Sequence, residues 1–284
     1  MATSLETYLE KAAKDLPAMP LVAGQIVKAI DDENSSVDDI RTLVEQDPGL
    51  AARILRVSNS AYYGFPSEIR SVGHAISLLG GRTVRNLVLG ASLKGSFRRF
   101  GLMEKLLWEH AAIAGPVAAA MAKRYGRGLD ADEAFTAALL HDVGKAALAN
   151  SHRDEYEKVF ARVYNEGVGF VQAEREGFGF DHAELGSRVA EHWKLPPRLA
   201  TVIRYHHEPD LWSELPEGEA SLTALVALCS ACLSKLGVGR RDPIEEIDLT
   251  SLPSWHHLGF KDADAEPIHE LCRHQVELAR ALTD

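Results

Sequence analysis

The sequence predicts an all-α protein, and three observations carry that expectation. Apolar residues recur at helical spacing almost throughout, helix-start and helix-stop residues bracket those runs, and no segment shows the alternating β-branched pattern of a strand. At 284 residues and 46% hydrophobic, the chain can bury a substantial core. Charged residues make up 25% and no stretch is repetitive, which excludes a fibrous or disordered class.

The first helices are expected at Leu5 to Asp15, Leu21 to Ile30, Val37 to Glu45 and Leu50 to Ser58. Ser36 with Asp39 reads as a capping box, and Asp47-Pro48-Gly49 supplies the turn between the third and fourth. Two more follow near Ala75 to Leu79 and Thr83 to Ser96, separated by Gly80-Gly81. A long helix from Leu102 to Tyr125 stops at a glycine-rich turn, and Asp130 then caps a helix running to about Ala149. Asp181 with Glu184 starts another that ends before Pro196, and Pro196-Pro197 opens one reaching His207. An apolar run from Leu222 to Leu236 and a final helix from Ile268 to Leu282 complete the pattern. The expected organisation is a helical half at 1–100, a second at 101–239, and a looser tail at 240–284 with one helix.

A formal net charge of −10 argues against broad nucleic-acid binding, because phosphate contacts need a positive face. Residues 38–58 do read as helix, short turn, helix, with Arg53 and Arg56 as base-facing candidates, but ordinary helix hairpins are far commoner. From Arg82 to Lys105 the local balance reverses, with six basic residues against Glu104 alone; a solvated helix face or a surface for an acidic or phosphate-bearing partner both fit. The start of the chain lacks a secretory core, and the most apolar stretch, Ala111 to Ala122, is too short to span a bilayer. A soluble, cytoplasmic protein is expected, with no membrane partner. Cys229, Cys232 and Cys272 are too few for a disulfide framework, and Cys229 and Cys232 in an apolar run read as buried thiols.

Five of the twelve histidines, His110, His141, His182, His206 and His207, together with Asp142, fall on expected helices where they could surround one cavity. Mixed imidazole and carboxylate donors suit iron, manganese, zinc or nickel. The apolar run from Ala137 to Leu148 has no packing reason to hold His141 and Asp142, since burying them unpaired would cost several kcal/mol. Lys145 lies four residues beyond His141, where its ammonium could neutralise a phosphate oxygen, and Gly144 would let a ligand approach the backbone. His152 and His192 are expected on the surface, and Asn59-Ser60 reads as a local helix cap.

Leu140-His141-Asp142-Val143-Gly144-Lys145 resembles the HD motif of the HD-domain phosphohydrolases. His110 stands where that superfamily's first histidine should be, and His182 and His206-His207 resemble the further ligands of two-metal members. The terminal aspartate is matched by Ser230, a departure that places metal occupancy and hydrolysis in question. More of the chain resembles the HDOD family, the HD-related output domains. The segments are Leu16-Pro17-Ala18-Met19-Pro20, Asp47-Pro48-Gly49-Leu50, Asn59-Ser60-Ala61-Tyr62-Tyr63-Gly64, Ala75-Ile76-Ser77-Leu78-Leu79-Gly80, Glu174-Arg175-Glu176-Gly177-Phe178-Gly179 with Asp181-His182, and Trp193-Lys194-Leu195-Pro196.

That resemblance implies an HD-like helical bundle at 101–239 behind an additional N-terminal helical subdomain at 1–100. It implies a bacterial signal-transduction module without catalysis, acting by binding a signalling protein or a phosphate-bearing small ligand. The competing expectation is a metal-dependent phosphohydrolase acting on cyclic dinucleotides or nucleotides, with Asp142 and Lys145 as catalytic residues. The metal set implied in either case is His110, His141, Asp142, His182, His206 and His207.

Overall fold

A computed structural model describes residue 6 and residues 21–32, 35–126, 128–280 and 283; among these there are helices and no strand. The expected helix over Leu5 to Asp15 and the Leu16-Pro17-Ala18-Met19-Pro20 segment lie outside the described residues.

Five helices form the N-terminal half: α1 (Leu21–Asp31), α2 (Val37–Glu45), α3 (Pro48–Ser58), α4 (Val72–Leu79) and α5 (Gly81–Ser96). The Ser36–Asp39 capping box forms as the sequence indicates, and Asp47 caps α3 through the Leu50 N–H with Pro48 in the first turn. Their apolar stripes meet in one cluster that includes Ile26, Val44, Ile54, Ile76 and Val84. Asn59 does more than cap. Its amide donates to the Leu55 and Ile69 carbonyls while its oxygen accepts the Ile69 N–H at 2.8 Å, fixing the loop between α3 and α4. Tyr62 from that loop packs on the larger core and Phe65 on the smaller one, with Tyr63 against both rings, so the loop joins the two halves.

The larger core is built by α6 (Leu102–Tyr125), α7 (Ala131–Leu140), α8 (Val143–Ser151), α9 (Arg153–Glu166), α10 (Phe170–Phe178), α11 (His182–His192), α12 (Pro197–Tyr205) and α13 (Glu217–Lys235). The segment after residue 240, expected as a looser tail with one helix, holds two, α14 (Pro253–His257) and α15 (Ala265–Ala279), and Ile268, Cys272 and Val276 of the second enter the same core. All three cysteines are buried free thiols, as the apolar run indicates. No helix among the described residues is long and apolar enough to cross a membrane.

Three further expectations need correction. The helix expected from residue 130 to about Ala149 is two helices, because the chain turns at His141 and Asp142, where Asp142 leaves the helical region at φ −99° and ψ 14°. His206 and His207 likewise occupy a turn after α12 and not the helix itself. His152 is buried, its Nδ1 2.8 Å from the Ser151 hydroxyl and its ring edge-on to Phe178; α9 and α10, which the apolar pattern left unassigned, cover it.

The basic run from Arg82 to Lys105 is distributed over several contacts. Arg82 pairs with Asp130, and Lys94 reaches the Thr283 carbonyl between the Phe100 and Trp108 rings. Arg53 lines a small groove between the halves with Trp108 and Phe135, packed against apolar neighbours.

Candidate metal centre

Polar side chains from several elements gather around Asp142. Four of them are placed by helix ends or by the break between helices. A continuous helix would turn His141 and Asp142 about 100° apart; the break lets both face the same space. His182 opens α11 directly after its cap, Asp181, which accepts the Ala183 and Glu184 N–H groups. The turn after α12 brings in His206 and His207. His110 comes from the middle of α6, and Ser230 from α13.

The position of α11 is set by a backbone contact. A Cβ at Gly144 would stand 2.0 Å from the His182 carbonyl oxygen and 2.8 Å from the Gly186 nitrogen, so only glycine admits this crossing. The room that Gly144 provides is therefore filled by the backbone of α11 and not by a ligand.

The two oxygens of Asp142 divide the cluster. Oδ2 accepts from Lys145 Nζ at 2.8 Å and lies 3.4 Å from His141 Nε2 and 3.9 Å from His110 Nε2. Oδ1 lies 3.1 Å from His182 Nε2 and 3.8 Å from His206 Nε2. His182 Nε2 is in turn 3.0 Å from His207 Nε2, and His207 alone of the five histidines is exposed, at the mouth. The donor atoms of Asp142, His182, His206 and His207 form one compact group, and those of His110, His141 and Asp142 a second, each within 4.8 Å.

Each buried ring is also oriented from behind. His141 Nδ1 meets the Ala138 carbonyl at 2.6 Å, His206 Nδ1 the Ile203 carbonyl at 2.8 Å, and His110 Nδ1 the Val238 carbonyl at 3.2 Å. With Nδ1 donating to a carbonyl, Nε2 is left with its lone pair toward the cavity, the tautomer a metal ligand needs. His141 Nε2 and His206 Nε2 are buried without a hydrogen-bond partner. Such orphaned groups cost free energy unless something fills the space between them. The residues therefore fit a divalent ion of the borderline class.

The electrostatics differ around the carboxylate. Burial pushes the His110 pKa down to about 3, and burial likewise lowers His141 and His206. Burial also opposes ionisation of Asp142, but His141, Lys145 and His182 outweigh it and hold the carboxyl well below its usual range. For His182 burial is again opposed, here by Glu174 and then Asp142, and its pKa rises to about 9.

Glu174 is the participant the sequence reading passed over as a site residue. It is fully buried on α10, accepting from the His182 N–H at 2.8 Å and the Tyr156 hydroxyl at 2.9 Å, with His182 Nδ1 at 2.6 Å. The available signal was its register: Phe170, Ala173, Glu174 and Phe178 fall on one face of α10, so the carboxylate occupies an apolar stripe. Ser230 sits at the opposite wall, its hydroxyl 3.2 Å from His110 Nε2. His256, His257, His269 and His274 are not in either donor group.

A family model described as the HDOD domain matches residues 16–209. The crystal structure of an HDOD domain protein of unknown function from Geobacter sulfurreducens is 27% identical, covers 98% of both chains and superposes with a TM-score of 0.78. A candidate phosphohydrolase from Shewanella amazonensis is 25% identical over 97% of this chain and 98% of its own, with a TM-score of 0.73. An uncharacterized protein of Treponema pallidum is 25% identical over 214 residues, 72% of this chain; the chain spans only 40% of that relative's length.

Proposed function

From the premise that the chain belongs to the HDOD domain family, we propose that it is a signal-transduction module that holds a divalent ion and binds a ligand or signalling protein without turning it over. The observation that carries this reading is the hydroxyl of Ser230 against His110, where the HD pattern has a carboxylate. A neutral oxygen neither compensates an ion's charge nor strengthens the weaker donor group, which is left with His110, His141 and Asp142. The other group keeps one carboxylate and three imidazoles, with Glu174 behind His182. An ion held there would supply positive charge and an open position for an anionic ligand.

Lys145 favours the alternative of a phosphohydrolase, since its buried ammonium beside Asp142 suits a phosphoryl oxygen. In that reading Asp142 gathers the ions and Lys145 offsets the negative charge of the ester. Elemental analysis and phosphoester turnover on one preparation separate the two. We expect about one manganese, iron, zinc or nickel ion per chain after reconstitution, with no acceleration of hydrolysis. The Ser230→Asp variant is expected to take up a second ion. Hydrolysis by the wild type that is lost in His141→Ala would overturn the non-catalytic reading.

A further inference from the structure

A cavity of about 280 Å³ opens in front of Asp142. Its floor is His110, Asp142 and Lys145, and its rim is Phe170 on one side and Gly239 and Arg240 on the other. The two cations differ in what they already hold. Lys145 is engaged by Asp142 at 2.8 Å and sits 4.3 Å from the Phe170 ring. Arg240 has no carboxylate within ion-pair distance among the described residues, and its guanidinium stands 5.8 Å from the Tyr164 ring.

The position of Arg240 is fixed by its neighbours. Tyr164 donates its hydroxyl to the Gly239 carbonyl at 2.9 Å. Gly239, at φ +66°, presses on α6 so closely that a Cβ would stand 2.5 Å from the His110 Cβ and 2.6 Å from the Leu106 carbonyl. Val238 next to it accepts from His110 Nδ1. The loop that orients one histidine of the cluster therefore also presents an uncompensated guanidinium at the mouth of the same cavity. Facing it, Gly169 precedes the first turn of α10 and gives it no side-chain cap, and the first N–H groups of a helix have no partner within it.

Resting on the functional reading above, we propose that this cavity takes a small phosphomonoester whose phosphate is held between Lys145 and Arg240, with Arg240 selecting a terminal phosphate over a bridging one. A terminal phosphate offers three free oxygens to a planar guanidinium, an ammonium and backbone N–H groups at once, whereas a phosphodiester offers two. Size points the same way. A space just under the roughly 300–1,000 Å³ that encloses drug-sized ligands holds a mononucleotide or smaller ester and does not enclose a cyclic dinucleotide.

Calorimetric titration of adenosine 5′-monophosphate, inorganic phosphate, adenosine and cyclic di-adenosine monophosphate tests this, with metal content measured on the same samples. The monophosphate is expected to bind more than tenfold tighter than adenosine or the cyclic dinucleotide. Arg240→Gln is expected to lose at least tenfold for the monophosphate, with adenosine binding, metal stoichiometry and melting temperature unchanged; Arg240→Lys, which keeps the charge without the fork, is expected to fall between. Equal binding by wild type and Arg240→Gln overturns the proposal. So does a cyclic dinucleotide that binds as tightly as the monophosphate, or the absence of binding by both the monophosphate and inorganic phosphate. Phosphate binding that depends on Arg240 in protein unable to retain metal supports this proposal and sinks the metal-holding reading alone, while retained metal without such binding does the reverse.

Discussion

The two sides of Asp142 are built to different standards. On the Oδ1 side His182 is backed by Glu174, a fully buried carboxylate that also anchors Tyr156 and the first N–H of α11. On the Oδ2 side His110 and His141 are backed only by main-chain carbonyls, and Ser230 contributes a hydroxyl. Lys145 braces the Oδ2 oxygen itself. Among the histidines, however, only His182 has a charge-assisted bond behind it, and such a bond is roughly twice as strong as a neutral one. The histidine wall on the Oδ1 side is therefore the rigid one and that on the Oδ2 side the adaptable one. The lesson is that a cluster with nearly all of a two-ion ligand set need not treat the two positions alike.

The largest effect is expected from breaking the crossing that sets the rigid wall. Gly144→Val places a side chain into the His182 carbonyl, and overpacking of this kind costs about 3 kcal/mol or more. Urea unfolding would show it as a lower midpoint, and a variant as stable as wild type would mean that α8 and α11 can separate without penalty. Next is Glu174→Gln, which removes the charge behind His182 while keeping its shape. Its loss is expected to cost about 2 kcal/mol of stability and tenfold to a hundredfold in metal affinity. Unchanged affinity would remove the distinction between the two walls.

Ser230→Ala is the matching change on the adaptable wall. Losing one neutral hydrogen bond there is expected to cost under about 1 kcal/mol and to leave affinity at the Oδ1 group as it was. A loss comparable to that of Glu174→Gln would show the serine to be a ligand in its own right. The smallest effect sharpens the comparison from outside the cavity. Glu104 is also buried, and although burial raises its pKa, Arg153 and the N–H of Gly101 outweigh this and lower it. A carboxyl lowered in the folded state contributes stability above its unfolded pKa and loses it as pH falls through the folded value. The difference in unfolding midpoint between wild type and Glu104→Gln should therefore hold steady from pH 7 down to the ordinary glutamate value of 4.5 and shrink as the pH falls below it; a gap that stays constant below that value would assign the residue a packing role only.

Local signals account for much of the architecture. The Ser36–Asp39 box, the Asp181 cap and the long apolar helix α6 each express a preference decided within a few residues, and each appears where the sequence places it, whereas Pro48 and Gly49, which read as a turn, open α3 behind an Asp47 cap. The same holds for the polar pair at 141 and 142, since the cost of burying it in an apolar run announces a site before any fold is known. The chain turn that aims His141 and Asp142 together was not legible, because the run reads as continuous helix and only packing against α11 interrupts it. Glu174 escaped for a related reason, as α10 was not recognised and a carboxylate has meaning only on an assigned face.

What the sequence determined by itself is the inventory: an all-helical chain, five candidate histidines, Asp142, Lys145, and a serine where the HD pattern has an acid. Tertiary structure alone decided the division of labour, by placing Glu174 behind His182, the Val238 carbonyl behind His110 and Arg240 at the rim, whereas the Ala138 and Ile203 carbonyls behind His141 and His206 come from three residues earlier in the chain. The physical reason is range. Caps and apolar periodicity act between residues within a turn or two of each other, whereas the orientation of an imidazole depends on acceptors that can lie more than a hundred residues away, as Val238 does from His110.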